Sequence, residues 1–288
     1  MFRSVAWLCL VIGIAGPRWG RGETDGVAVG RDLVIVLDLS RSMLADDAAG
    51  GKARWQSAVS GCVDLLEWLK TRGGHRVAVV IFAARPLLIV PLTTDFDHAR
   101  AKLSELNGRF PPAAIRPDRD DFPSGTRIGA AVSFAVESLD QRFVEFRDLI
   151  VLSDGDDPAN DREWAIGIAA ARKANVPLHT VGVGDPETAS LIPLGTAPLE
   201  FAEGDGVPDL VRTRLHEDVL TAMATEGRGQ YLPARRQTPD LATFVRNTIE
   251  KNPSRELMDD QLPQKKLRSA WFYGFGALFL VLWWWRER

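Results

Sequence analysis

The chain has 288 residues, 45% apolar and 25% charged, with a formal net charge of -3 and two cysteines. That length supports one α/β domain with a substantial core plus terminal segments, and the mixed charge gives no basic field for nucleic acid. Cys9 lies in an apolar N-terminal segment and Cys62 in a helical pattern, so neither metal spacing nor a disulfide pairing is indicated; Cys62 reads as a buried small hydrophobe.

Residues 1–19 carry an apolar run, Val5 to Gly16, behind Arg3. It is short for a membrane span, so a signal segment and an N-terminal membrane anchor both stay open. Residues 20–30 form a polar, Gly-rich linker. Leu33 to Leu37 is then a continuous apolar run rich in β-branched residues, the pattern of a strand at 32–38 covered on both faces in a parallel sheet. It ends in oxygen: Asp38, Ser40 and Ser42 stand at alternate positions just past the strand. One carboxylate and two hydroxyls there suit a hard cation such as Mg²⁺, which takes oxygen ligands and keeps some of its waters.

A helix is expected from Ala53 to Lys70, stopped by Gly73-Gly74, then a strand from His75 to Ala83. Leu87 to Val90 reads as its short antiparallel hairpin partner, and Thr94 or Asp95 caps a helix through Leu106. Residues 108–125 form a long connection without periodicity, the kind that carries function or lacks order. Ser124-Gly-Thr126 opens a helix whose apolar positions include Ile128, Ala131, Ala135 and Leu139. Leu149 to Gly155 is a second apolar strand, ending in Asp154.

Asp156, Asp157 and Asp161 lead into a helix at 161–174, followed by a strand from Val176 to Val183. Residues 185–214 are an irregular excursion; a helix at 216–226, a strand near Gly229 to Leu232 and a helix at 238–251 complete the domain. The order predicts an α/β fold: a doubly wound, mostly parallel sheet with one antiparallel edge strand. Ligands collect at the switch point of such sheets, and if the first and fourth strands are neighbours there, Asp38 and Asp154 face each other.

After a polar linker at 252–268, residues 269–285 are 17 uncharged residues with aromatics at both ends. As a helix they would be roughly 25 Å long, so a C-terminal transmembrane helix is expected, flanked by Lys265, Lys266 and Arg268 before it and Arg286 and Arg288 beyond. Those flanking charges favour neither orientation.

Asp38-Leu-Ser40-Arg-Ser42, then Thr126, then Asp154-Gly155, resembles the metal-ion-dependent adhesion site of von Willebrand factor A (VWA) domains. Ser42-Met-Leu-Ala-Asp-Asp47, Val90-Pro-Leu-Thr-Thr-Asp95, Thr180-Val-Gly-Val-Gly184 and Ile192-Pro-Leu194 are similar to the membrane-anchored aerotolerance-type (Bat) proteins. The resemblance implies a Rossmann-like VWA domain at 31–251. It implies Mg²⁺, or another divalent cation such as Mn²⁺, on Ser40, Ser42 and Thr126, with Asp38 and Asp154 acting mostly through water. A protein partner's carboxylate would complete the shell. It further implies membrane helices at both ends, a domain on the outer side of the inner membrane, and a role in envelope complex assembly or stress tolerance. Other VWA membrane proteins and a MoxR-type AAA+ ATPase are the partners it suggests.

A binding module of this kind needs no nucleophile or general base. Accordingly there is no Gly-x-Ser-x-Gly elbow, and His75, His98, His179 and His216 have no metal-ligand spacing. The enzymatic alternative is an Mg²⁺-dependent aspartyl-phosphate phosphotransferase with Asp38 as nucleophile, but the general acid expected two residues on is Ser40. A metal-free membrane scaffold is the third reading. Arg41, between the two serines, would favour an acidic partner surface; the 108–125 connection reads first as a solvated charged loop, the alternative being that Asp118, Asp120 or Asp121 serves as an internal pseudo-ligand.

Overall fold

A computed structural model of the chain describes residues 2–17, 29–116, 126–139, 146–156, 162–192, 212–252, 255–256 and 269–287. It divides into a unit spanning 29–255 and a second made of the two termini. In the larger unit the strands are β1 (Asp32–Asp38), β2 (Arg76–Phe82), β3 (Pro86–Thr93), β4 (Arg147–Ser153), β5 (Leu178–Val183) and β6 (Arg228–Arg235). They form one sheet in the order β3-β2-β1-β4-β5-β6, parallel except for β3. The chain therefore winds outward from β1 on one side and from β4 on the other. This is the expected doubly wound sheet, with its switch point between β1 and β4.

Alternation along the strands decides the layers. Leu33, Ile35 and Leu37 of β1 face one way, joining Cys62, Leu65, Leu66 and Leu69 of α1 (Arg54–Arg72) and Leu103 of α2 (Phe96–Ser104). Val34 and Val36 face the other way, onto α3 (Ile128–Glu137), α4 (Trp164–Lys173) and α5 (Glu217–Glu226). Every residue of β1 is buried, which is why its sequence is a continuous apolar run and not an alternating one. Cys62 is buried as expected, and burial pushes its thiol up to about 12.

Several boundaries differ from the sequence expectation. β3 extends beyond Leu87–Val90 because its pairing with β2 shifts register near Val79 and resumes at Val77–Thr93; as an edge strand it tolerates Pro91. The expected helix at 238–251 is a short α6 (Leu241–Phe244), capped by the Asp240 carboxylate accepting from Thr243 N–H at 3.0 Å, that widens into a π-helical turn, Val245–Ile249. At Gly73, φ is +68° and the N–H donates to Leu69 O, so the predicted stop is a true helix end.

The amino ends of the strands are tied by ion pairs. Arg76 forks onto Asp32 at 2.8 and 2.5 Å, and Arg31 Nε–H meets Asp148 at 2.5 Å. His75 and His179 are buried there and accept from the Arg31 and Gln230 N–H groups, so both are structural, as expected.

The terminal unit pairs two helices, Phe2–Ile14 and Ser269–Glu287. Small residues let them approach: a Cβ on Gly13 would lie 2.8 Å from the Tyr273 ring, and Gly276 faces Leu10. The expectation of membrane-spanning helices is corrected here. Among the described residues no helix is long and apolar enough to cross a membrane. The N-terminal helix is about 20 Å long, and the C-terminal one is interrupted by two glycines and ends in the charged pair Arg286 and Glu287. Asp118, Asp120 and Asp121, Asp157 and Asp161, and the linkers 20–28 and 257–268 lie outside the described residues.

Candidate metal centre

The register of β1 on β4 sets Leu37 against Leu152, so Asp38 stands level with Ser153 and one residue short of Asp154. Asp38 is fully buried; one carboxylate oxygen accepts from Ser40 N–H at 2.8 Å and the other from the Ser153 hydroxyl at 2.6 Å. Past the strand the chain turns into a 3₁₀ segment, Arg41–Leu44, and this tight turn brings the Ser40 and Ser42 hydroxyls within 3.0 Å of each other. Both serines are buried, while Arg41 between them is exposed. Thr126 is half-buried one residue before Arg127, whose N–H bonds Ala83 O just beyond β2. Since β2 flanks β1, all five expected residues stand at the carboxyl end of the sheet.

Asp154 follows β4 and is also fully buried. Its backbone carbonyl accepts from His216 N–H at 2.8 Å, and one carboxylate oxygen accepts from Asp156 N–H at 3.1 Å. The tight turn after it needs Gly155, at φ +70°, where a Cβ would press on His216 O.

Electrostatics distinguish this end of the sheet. Burial raises the Asp38 pKa from the ordinary carboxylate value to about 7, the Asp154 carboxylate adds to the rise, and the bonds from Ser153 and Ser40 only partly offset them. Asp156 is raised for the same reasons, burial first and Asp154 second. A cation beside the two aspartates would favour the ionised form of Asp38 and so offset both causes.

The sequence reading missed Arg54 at the start of α1. It is fully buried, and its Nε–H and Nη2–H donate to Asp47 at 2.8 and 2.5 Å, while Nη1–H donates to the other Asp154 carboxylate oxygen at 2.6 Å. Burial alone would weaken its charge, but Asp47 and Asp154 outweigh that and hold the proton more firmly than usual. One signal was available: a basic residue in the first turn of a helix opposes the helix dipole and needs another reason to be there. Ser153, which donates to Asp38, was missed too.

Among the described residues no group of three or more His, Cys, Asp or Glu could hold a metal ion. The donor set here is of another kind, two hydroxyls and a carboxylate with a second carboxylate beside them, and it fits a hard oxygen-seeking dication better than a soft one.

Residues 33–156 match the von Willebrand factor type A domain family. An uncharacterized protein of Borreliella burgdorferi is 25% identical over 191 residues, 66% of this chain and 51% of that protein; the chain spans about half the length of the curated relatives it matches. The solved structure of BatB from Bacteroides thetaiotaomicron is 25% identical, covers 77% of this chain and 98% of its own, and superposes with a TM-score of 0.60. An aerotolerance-related membrane protein from Bacteroides fragilis gives 24%, 77%, 100% and 0.59. Proximal thread matrix protein 1 of the mussel byssus, with zinc in its MIDAS (metal-ion-dependent adhesion site) motif, is 16% identical, covers 79% of this chain and 48% of its own, and has a TM-score of 0.50, a likeness of fold.

Proposed function

We propose that this chain, a von Willebrand factor type A domain protein of the aerotolerance-related Bat type, binds a divalent cation and uses it to capture an acidic group of a protein partner. Ser40, Ser42 and Thr126 would hold the ion, and Asp38 and Asp154 would order its waters. Support comes first from Asp38: a buried carboxylate beside a second one, raised to about 7 by burial and by that neighbour, is a negative site in want of positive charge. The zinc held in the mussel protein's MIDAS motif is consistent with such an ion in this fold. Once bound, the ion would offer an exchangeable position to an outside carboxylate. Arg41, exposed and between the two serines in sequence, would favour a partner with further negative charge.

Calorimetric titration with Mg²⁺ and Mn²⁺ tests the first step. The wild type should bind one ion, and folded Asp38→Ala and Ser40→Ala variants should bind none. A pull-down from solubilised membranes then tests capture: a partner must be held by the wild type, released by EDTA and missed by Ser40→Ala. Partners held equally by both proteins, with or without EDTA, would refute the metal as the binding device.

Attachment to a membrane is the second part of the proposal, through the terminal helix pair. Trp7, Leu8, Val11, Trp271, Phe275 and Val281 expose large apolar side chains that water does not favour, and the Bacteroides fragilis relative is described as a membrane protein. Co-sedimentation of the chain with lipid vesicles, and its loss on deleting 269–288, would support this; no association of the full chain with vesicles would refute it.

A further inference from the structure

Arg54 does more than neutralise Asp154. Its Nη1–H also donates to the Thr213 hydroxyl at 3.3 Å and its Nη2–H to Thr213 O at 3.4 Å. The same hydroxyl donates on to Asp156 at 3.2 Å. The Arg54 partner Asp47 accepts from Asp185 N–H at 3.2 Å and from the Ser190 hydroxyl. Gly184, at φ +128°, passes so close that a Cβ would lie 2.5 Å from Arg54 Nε. The guanidinium is thus the hub between the Asp154 loop and both described ends of the excursion after β5, where Ser190–Leu191 pairs with Arg212–Thr213. Two backbone bonds close the connection, Leu215 N–H to Asp185 O and His216 N–H to Asp154 O.

We infer that Arg54 is a positioning residue of the metal centre and that, through Thr213, it couples cation binding to the segment 212–216. The inference rests on the proposed metal site. An ion held by Asp38 and Asp154 would fix the 154–156 loop, and that loop carries the partners of Thr213 and His216. Coupling of this kind is reciprocal, so the ordered segment must in turn favour the ion. The segment lies at the same end of the sheet as Asp154, whose carbonyl accepts from His216 N–H. A partner that contacts it would therefore sense whether the ion is present.

The test is amide exchange on the full chain, with EDTA or Mg²⁺, alongside Mg²⁺ titration, for the wild type, Thr213→Val and Thr213→Ser. In the wild type, Mg²⁺ should slow exchange across 212–216 by about fivefold or more, the low end of typical coupling. Thr213→Val keeps the shape but removes the hydroxyl bridge; it should bind Mg²⁺ about tenfold more weakly, the scale of outer-shell losses at metal sites, and lose the slowing. Thr213→Ser should restore both, which a purely structural role would not predict. Mg²⁺ bound by the wild type with exchange at 212–216 unchanged would overturn the coupling and leave the metal site standing. Thr213→Val behaving like the wild type would overturn it as well. No Mg²⁺ binding to the wild type would remove both the metal site and the coupling. If Thr213→Val does not fold, the wild-type exchange comparison decides the matter.

Discussion

Replacing Asp38 by Asn should stabilise the metal-free protein near neutral pH, although it deletes a residue of the proposed site. The folded carboxyl has a pKa of about 7 against 3.8 in the unfolded chain, and it is fully buried. Between these values the native state holds a proton that the unfolded state has released. Stability therefore falls as pH rises through this window, by up to 1.36 kcal/mol per pH unit. The whole window of about three units amounts to roughly 4 kcal/mol, fully present below the unfolded pKa and fully lost above the folded one. Asn carries no such penalty and can still accept from Ser40 N–H.

Urea denaturation in EDTA, from about pH 4.5 to pH 8, measures this directly. Asp38→Asn and the wild type should be close at the acid end, and the variant should be more stable by several kcal/mol at the alkaline end. The difference between the two proteins cancels His75, whose burial-lowered pKa contributes in the same range with the opposite sign. Millimolar Mg²⁺ should then reverse the order at about pH 8, because the wild type gains far more binding energy there than the weakly binding variant. A variant no more stable than the wild type at that pH in EDTA would refute the electrostatic account of the site.

Arg54→Leu leaves Asp47 and Asp154 buried without their cation and should cost about 3–5 kcal/mol in urea unfolding; a loss under about 1 kcal/mol would contradict the assignment of Arg54 as the buried counter-charge. Glu163 accepts from Gly129 and Ala130 N–H, both at 2.7 Å, and so caps α3, the helix that Thr126 opens. Glu163→Ala should lower stability by about 1–2 kcal/mol and weaken Mg²⁺ binding by displacing Thr126; unchanged affinity would separate the cap from the site. Cys62 should resist a thiol reagent in the native protein and react only at the rate of global unfolding, because it is buried and its thiol is pushed up to about 12.

The fold was legible because its signals are local. A strand buried on both faces must be a continuous apolar run, so Leu33 to Leu37 and Leu149 to Leu152 announced a parallel sheet, and the oxygens after each run marked its carboxyl end. The antiparallel edge followed from the short span between β2 and β3. What escaped were contacts between residues far apart in the chain. Arg54 meets Asp154 and Thr213 across 100 and 159 positions, and nothing local to the excursion reveals Thr213 as a partner. The terminal segments show another limit: a lack of charge over 17 residues with aromatics at both ends suggests a span, but a crossing needs length and apolarity together, and no described helix reaches both.

Arg54 also bears on which ion the site would take. Asp38, Asp47 and Asp154 are buried together with a single buried guanidinium, which leaves a formal charge of −2 when all three carboxylates are ionised. The fold has two ways to reduce that charge. One is protonation of Asp38, favoured by its raised pKa, which removes half of it. The other is a dication, which removes all of it, whereas a monovalent ion would do no better than the proton. Proton and metal should therefore compete for one deficit. Mg²⁺ affinity should fall by approaching tenfold per pH unit as pH drops below about 7, and Asp38→Asn, holding the site at the protonated charge, should bind weakly at every pH. Calorimetric affinities that stay constant from about pH 5 to pH 8 would show that the ion does not draw on Asp38, and the charge deficit would then need another purpose.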